Sequence, residues 1–288
     1  MPRIDRHDVG GGAYGVAMGY SGEVWVTLAD ASALARIDPD GAVDRFDLDR
    51  PDSRPMVLVP GVDDDLYFSC GDGRIGRVDR DGRVTSLPIQ LPAAPYGLCV
   101  PGLGRLWCAL LSEDRIVRLE GDHIAESIST PPGAMPSLLV ADPNGMLWCT
   151  MHGANAIGAI AGGRLRVIPL PTASAGPVGI AATTDGVWFT EIAAGRIGHI
   201  TGGGDVEEFD LGDPECRPHA VVDASDGGCW ATLWAASAVV RVDSAGLVTD
   251  RVELPSGSEP HGLAVGPDGS VWVALETARA VVRITIGP

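Results

Sequence analysis

Short apolar runs separated by polar turns fill this chain, and they return at a fixed distance. An aromatic residue sits inside one such run at Trp25, Tyr67, Trp107, Trp148, Trp188, Trp230 and Trp272, at spacings of 42, 40, 41, 40, 42 and 42 residues. A second apolar run follows each aromatic, at residues 34–37, 75–78, 116–119, 157–160, 197–200, 239–242 and 281–284. A third run precedes it and usually opens with proline, as at residues 95–98, 177–180, 218–221 and 260–263. Proline is tolerated at the first position of a strand, where no ladder donor is needed. A more polar fourth segment, such as residues 43–47 or 206–210, follows each second run except the last.

Apolar runs of this length between Gly, Pro and Asp turns predict strands. Four-strand units repeated seven times at this period predict an all-β, seven-bladed β-propeller with four-stranded antiparallel blades, because each twisted sheet buries both faces on its neighbours. One domain over residues 1–288 is expected. The last repeat lacks its fourth strand, and residues 3–7, with alternating polarity, are expected to supply it and so close the ring.

Strand polarity then groups the candidate chemistry. The start of an innermost strand and the end of the next strand lie on one face of a blade, so Tyr14, Met56, Tyr96, Ser137, Val178, His219 and His261 are expected around one mouth of the axis. Side chains alternate with period two along a strand, which predicts Gly12, Arg54, Ala94, Met135, Gly176, Arg217 and Glu259 on the same side. If Asp268-Gly269 makes the tight turn of the last hairpin, that hairpin pairs His261 with Glu276. Glu276 stands where the other repeats carry Ala29, Gly71, Leu111, His152, Ile192 and Trp234. Glu259, His261 and Glu276 are therefore expected to converge, with His219 beside them. Two carboxylates suit a hard divalent cation, and an imidazole suits proton transfer near neutral pH. Tyr14, Tyr96 and Trp234 offer flat apolar contacts to a cyclic or aromatic ligand. His7, His123 and His199 are expected on outer strands or loops, and His152 has no acidic companion in its hairpin.

Composition narrows the picture. No apolar run approaches the ~18 residues of a membrane span. The net charge is −17, lysine is absent and the arginines are spread thinly, so no surface suited to tracking phosphates is expected and nucleic acid is excluded as a partner. The opening residues lack the apolar core of a secretory signal, which favours the cytoplasm. The six cysteines have no metal-ligand spacing and fall mostly in apolar strands, as buried reduced thiols do. A closed ring needs no partner for stability, so a monomer is expected.

The motifs Arg217-Pro218-His219-Ala220, Glu259-Pro260-His261-Gly262 and Trp272-Val273-Ala274-Leu275-Glu276, with weaker ones such as Val187-Trp188-Phe189-Thr190-Glu191 and Arg196-Ile197-Gly198, resemble the streptogramin B lyases (virginiamycin B lyase family) over essentially the whole chain. The resemblance implies a propeller that linearises cyclic depsipeptide antibiotics by elimination at a threonyl ester. It also implies Mg²⁺ on Glu259 and Glu276, His261 as general base, and His219 in contact with substrate. Two other classes stay open: a gluconolactonase-like lactone hydrolase with an axial metal, and a non-catalytic propeller that binds a ligand or partner, since this fold hosts many functions. The Glu-Pro-His-Gly register favours the lyase.

Overall fold

The structure is a computed structural model that describes residues 2–62, 64–102 and 104–286. Met1, Gly287 and Pro288, at the ends of the expected 1–288 span, lie outside the described residues. Seven four-stranded antiparallel sheets form the blades of a propeller. Six blades use consecutive strands. The seventh takes Pro260–Val265, Val271–Leu275 and Ala280–Thr285, and its outer strand is Arg3–Asp8, paired antiparallel with Ala280–Thr285. Among the described residues no helix is long and apolar enough to cross a membrane.

Burial follows from the ring. The second strand of a blade lies between two neighbouring sheets, so Val24–Leu28, Leu147–Met151, Cys229–Leu233 and Val271–Leu275 are buried at every position rather than at alternate ones. Outer strands such as Val43–Asp47 are mostly exposed. The core divides into seven apolar clusters, and each is shared by two adjacent blades. The cluster that joins Val26 and Leu28 to Ala264, Trp272 and Val281 links the first blade to the seventh, so apolar burial, the dominant favourable term in folding, closes the circle. The repeated aromatic pairs in register with an arginine of the third strand, as in Trp25 with Arg36, Trp230 with Arg241 and Trp272 with Arg283, each guanidinium 5.5–5.9 Å from the ring centroid. All six cysteines are free and buried. His199 differs from its expected place: it lies in the third strand Arg196–Thr201, buried and packed 4.6 Å from the Trp188 ring.

Two local features overturn the simple alternation expected at the mouth. The innermost strand carries one extra residue in six blades, a β-bulge: in the seventh, Pro260 faces Leu275 while Leu263 faces Val273. Glu276 is therefore not paired with His261. Its N–H donates to the Glu259 carbonyl at 3.1 Å, so the two glutamates face each other. The residue before the opening proline also departs from extended geometry, with φ of +41° at Arg54, +51° at Met135, +50° at Arg217 and +51° at Glu259. Proline disfavours the right-handed region for the residue before it, and the chain enters the strand through the left-handed region instead. Period-two projection fails there, and Glu259 leaves the direction of His261.

The last residue of each second strand is Leu28, Cys70, Leu110, Met151, Glu191, Leu233 or Leu275, and all are buried. Glu191 is the exception in chemistry. Neither of its carboxyl oxygens meets a donor among the described residues. Its neighbour Glu208 already accepts from the Thr172 N–H at 3.0 Å and the Thr172 hydroxyl at 2.6 Å, with Arg196 at 3.8 Å. Burial, then the Glu208 carboxylate, pushes the Glu191 carboxyl from its ordinary 4.5 up to about 8. Burial and the neighbouring carboxylate both penalise its charged form, so Glu191 is the neutral acid at pH 7.

Because the folded state holds this proton and the unfolded chain releases it near 4.5, the stabilisation is complete below that value. It falls as pH rises toward about 8, by at most about 1.4 kcal/mol per pH unit. Thermal melts of Glu191→Gln should match the parent at pH 4.5 and exceed it at pH 8.5; an equal pH slope in both proteins would refute the assignment.

Candidate active site

The mouth residues are held by hydroxyls buried inside the second strands. Thr232 Oγ1 accepts from the Ala220 N–H of its own blade at 3.0 Å and donates to the His261 carbonyl of the next at 2.9 Å. Thr190 accepts from Gly179 N–H at 2.8 Å and donates to the His219 carbonyl at 2.9 Å. Thr27 and Thr150 make the same bridge to Met56 and Val178. Each hydroxyl satisfies the N–H freed by the bulge and pins the neighbouring blade's mouth residue. Close backbone approach selects glycine behind two mouth residues: a Cβ on Gly179 would meet the His219 carbonyl oxygen at 2.5 Å, and one on Gly262 the Tyr14 oxygen at 2.6 Å.

Four side chains of the predicted ring meet on the axis. The Tyr14 and Tyr96 hydroxyls are 2.5 Å apart. The Tyr14 ring lies 4.4 Å from His261 and 6.0 Å from His219, and the two imidazoles are 4.6 Å apart, edge to face. Trp234 stands 6.4 Å from His261, and Arg217 covers its ring. Beneath them, Val16, Leu58, Leu138, Val221 and Leu263 enclose an apolar cavity of about 130 Å³ in the channel.

The mouth is a low-dielectric site with sharply assigned charges. His261 Nε2 lies 2.5 Å from Glu276 Oε2. The contact is out of line for a hydrogen bond, and neither His261 nitrogen has an aligned partner among the described residues. The His261 ring beside it holds the Glu276 carboxyl below its ordinary value against the opposing effect of burial, and Arg54 adds to the lowering. Burial, reinforced by His261, pushes His219 down to about 3, so it is a neutral imidazole. Burial raises both tyrosines, which remain phenols. His219 Nδ1 and Trp234 Nε1 are buried without partners among the described residues, and such orphaned polar atoms are costly unless a ligand meets them.

A model of the virginiamycin B lyase family matches residues 2–284. The chain belongs to that family. A virginiamycin B lyase of Nocardia farcinica is 40% identical over 229 residues, covering 79% of this chain and 80% of its own. A solved streptogramin B lyase superposes with a TM-score of 0.92 at 31% identity, over 99% of this chain and 98% of its own. A catalytically inactive histidine-to-alanine variant of the Staphylococcus aureus virginiamycin B lyase, solved with quinupristin, gives 0.91 at 28% identity over 100% of both chains.

Within this member of the virginiamycin B lyase family, the predicted set is only partly assembled. His261, Glu276, His219, Tyr14 and Trp234 share the mouth. Glu259 lies next to Glu276 through its backbone, but its carboxylate accepts from the Thr277 hydroxyl at 2.6 Å. Among the described residues no group of three or more His, Cys, Asp and Glu forms a metal-ligating cluster. Sequence reasoning missed the hydroxyl bridges. Their trace was a Ser or Thr one place before the end of an apolar strand, at Thr27, Ser69, Thr150, Thr190 and Thr232.

Thr232→Val preserves shape and leaves the Ala220 N–H and the His261 carbonyl unpaired. It should lower stability by about 1–3 kcal/mol in a thermal melt, whereas Thr232→Ser should stay near the parent. Equal melting of the valine and serine variants would discard the bridge as a structural element.

Proposed function

We propose that the protein is a carbon–oxygen lyase that linearises cyclic type B streptogramins by elimination at the threonyl ester. The observation that carries this reading is the buried His261 imidazole, pinned through its backbone by Thr232 and set against an ionised Glu276, in a chain of this family. His261 is the base that takes the threonyl α-proton. The Glu276 carboxylate stabilises the imidazolium so formed, and removing such a base costs about 10²–10⁴-fold in rate. Neutral His219 and the Trp234 N–H bind substrate carbonyls without adding a competing charge, and the faces of Tyr14 and Trp234 support the macrocycle. The quinupristin complex of the inactive histidine variant supports both the substrate class and a histidine's part in turnover in that relative.

Glu259 and Glu276 are the residues that would hold Mg²⁺. Their backbones pair through one hydrogen bond at the mouth, and Mg²⁺ needs only one or two carboxylates because it keeps several waters. When bound, the ion supplies positive charge beside substrate oxygens that gain negative charge. A small cyclic depsipeptide is the expected partner, and a monomer acting in the cytoplasm is the form this reading carries.

Incubation with quinupristin followed by mass spectrometry separates the chemistries. Elimination gives a linear product of unchanged mass, hydrolysis adds one water, and a binding protein leaves the substrate intact. His261→Ala should lower turnover about 10²–10⁴-fold while retaining the fold by circular dichroism, and a chelator should abolish turnover until Mg²⁺ is restored. A water gain, or full activity in His261→Ala, would defeat the proposal.

A further inference from the structure

The rim is low on one side of the His261–Glu276 pair. Where other blades carry Leu111, His152, Ile192 or Trp234 just past the second strand, the first two carry Ala29 and Gly71, and Gly12 precedes the first innermost strand. A Cβ on Gly12 would meet Glu276 Cγ at 3.3 Å, so Glu276 leans over this sector. Beyond it lies a cavity of about 360 Å³ lined by Asp52, Arg54, Met56, Pro95, Tyr96 and Leu111. Tyr96 belongs to both places, since its hydroxyl meets that of Tyr14. The cavity and the acid–base pair therefore open on one mouth.

Arg54 is the cation of this sector. Its backbone is anchored by its N–H to Ser32 Oγ at 3.3 Å and its carbonyl to Gly71 N–H at 3.1 Å. The exposed guanidinium makes no ion pair or hydrogen bond among the described residues, in contrast to Arg74, which is tied to Asp49, Asp72 and Ser53. Arg217, at the same place in the sixth blade, is committed to the Trp234 ring. A guanidinium held by its backbone and left without an acceptor suits a ligand carboxylate, which it binds with directed, charge-assisted hydrogen bonds.

We infer that Arg54 receives the carboxylate that departs when the ring opens. The inference rests on the lyase reading above. His261 takes the proton from the threonyl Cα, the C–H electron pair becomes the Cα=Cβ double bond, and the Cβ–O pair leaves with the ester oxygen. The negative charge appears on that oxygen and is shared over the new carboxylate. No water, oxidant or reductant takes part. An acceptor for this charge across a low rim assists bond breaking, because the interaction is stronger once the carboxylate has formed than in the neutral ester. It also makes the linear acid a product inhibitor.

The test uses quinupristin, its purified linear product and the methyl ester of that product. In the parent enzyme the acid should inhibit at least about tenfold more tightly than its methyl ester. Arg54→Gln should erase that difference and lower kcat/KM about ten- to a hundredfold, and Arg54→Lys should restore part of both. Equal inhibition by acid and ester in the parent overturns the inference without any variant. So does an Arg54→Gln enzyme with unchanged kcat/KM and unchanged acid preference. A parent that leaves quinupristin intact removes the lyase reading and this inference together.

Discussion

A threonine hydroxyl that bridges two blades is the interaction on which the mouth depends. Propeller blades meet through apolar clusters, which hold sheets together without fixing them to a fraction of an ångström. The bulge in six of the innermost strands frees an N–H that must find a partner. Placing a hydroxyl beneath it satisfies that group and leaves the hydroxyl proton for the next blade's mouth carbonyl. Thr190 sets His219 and Thr232 sets His261, so the two imidazoles are located by the blades that precede them. Where Ala109 replaces the hydroxyl in the third blade, the backbone closes directly: Tyr96 N–H donates to the Ala109 carbonyl and Gly97 N–H to Ser137.

On that frame, one ring of residues holds several charge states a few ångströms apart. His219 and the tyrosine pair are neutral because burial penalises their charged forms, while Glu276 stays ionised because His261 lies against it. The same penalty acts on Glu191 with no compensating cation close enough, and there it produces the protonated acid. Carboxyl groups at nearly equivalent places in two blades thus end in opposite states. The difference lies in what another strand of the same blade presents, an imidazole in one case and a second carboxylate in the other.

The orphaned nitrogens of His219, His261 and Trp234 complete this account. In the interior of a blade such atoms would be a defect, yet here they collect at the open end of the axis around a patch of aromatic surface. A ligand rich in carbonyl groups and ring-shaped enough to sit on that patch satisfies them together. Arg54 stands apart from this group, since it complements a charge that exists only after a bond has broken.

Repeat spacing and strand polarity were legible in the chain itself: seven aromatic-centred strands set the number of blades, the unpaired segment at residues 3–7 supplied the closing strand, and the starts of the innermost strands placed Tyr14, Tyr96, His219 and His261 at one mouth. These follow from local patterns, because a strand's period and its end are written in contiguous residues. Tertiary structure alone decided that Glu276 faces Glu259 rather than His261 in register, that Glu259 turns to Thr277, and that Thr190 and Thr232 hold the imidazoles. A bulge adds a residue that an alternating pattern cannot count, and a left-handed residue before proline redirects a side chain without changing the sequence of apolar and polar positions. The partner of a hydroxyl 29 residues away is set by how neighbouring blades pack, and packing is a property of the closed ring.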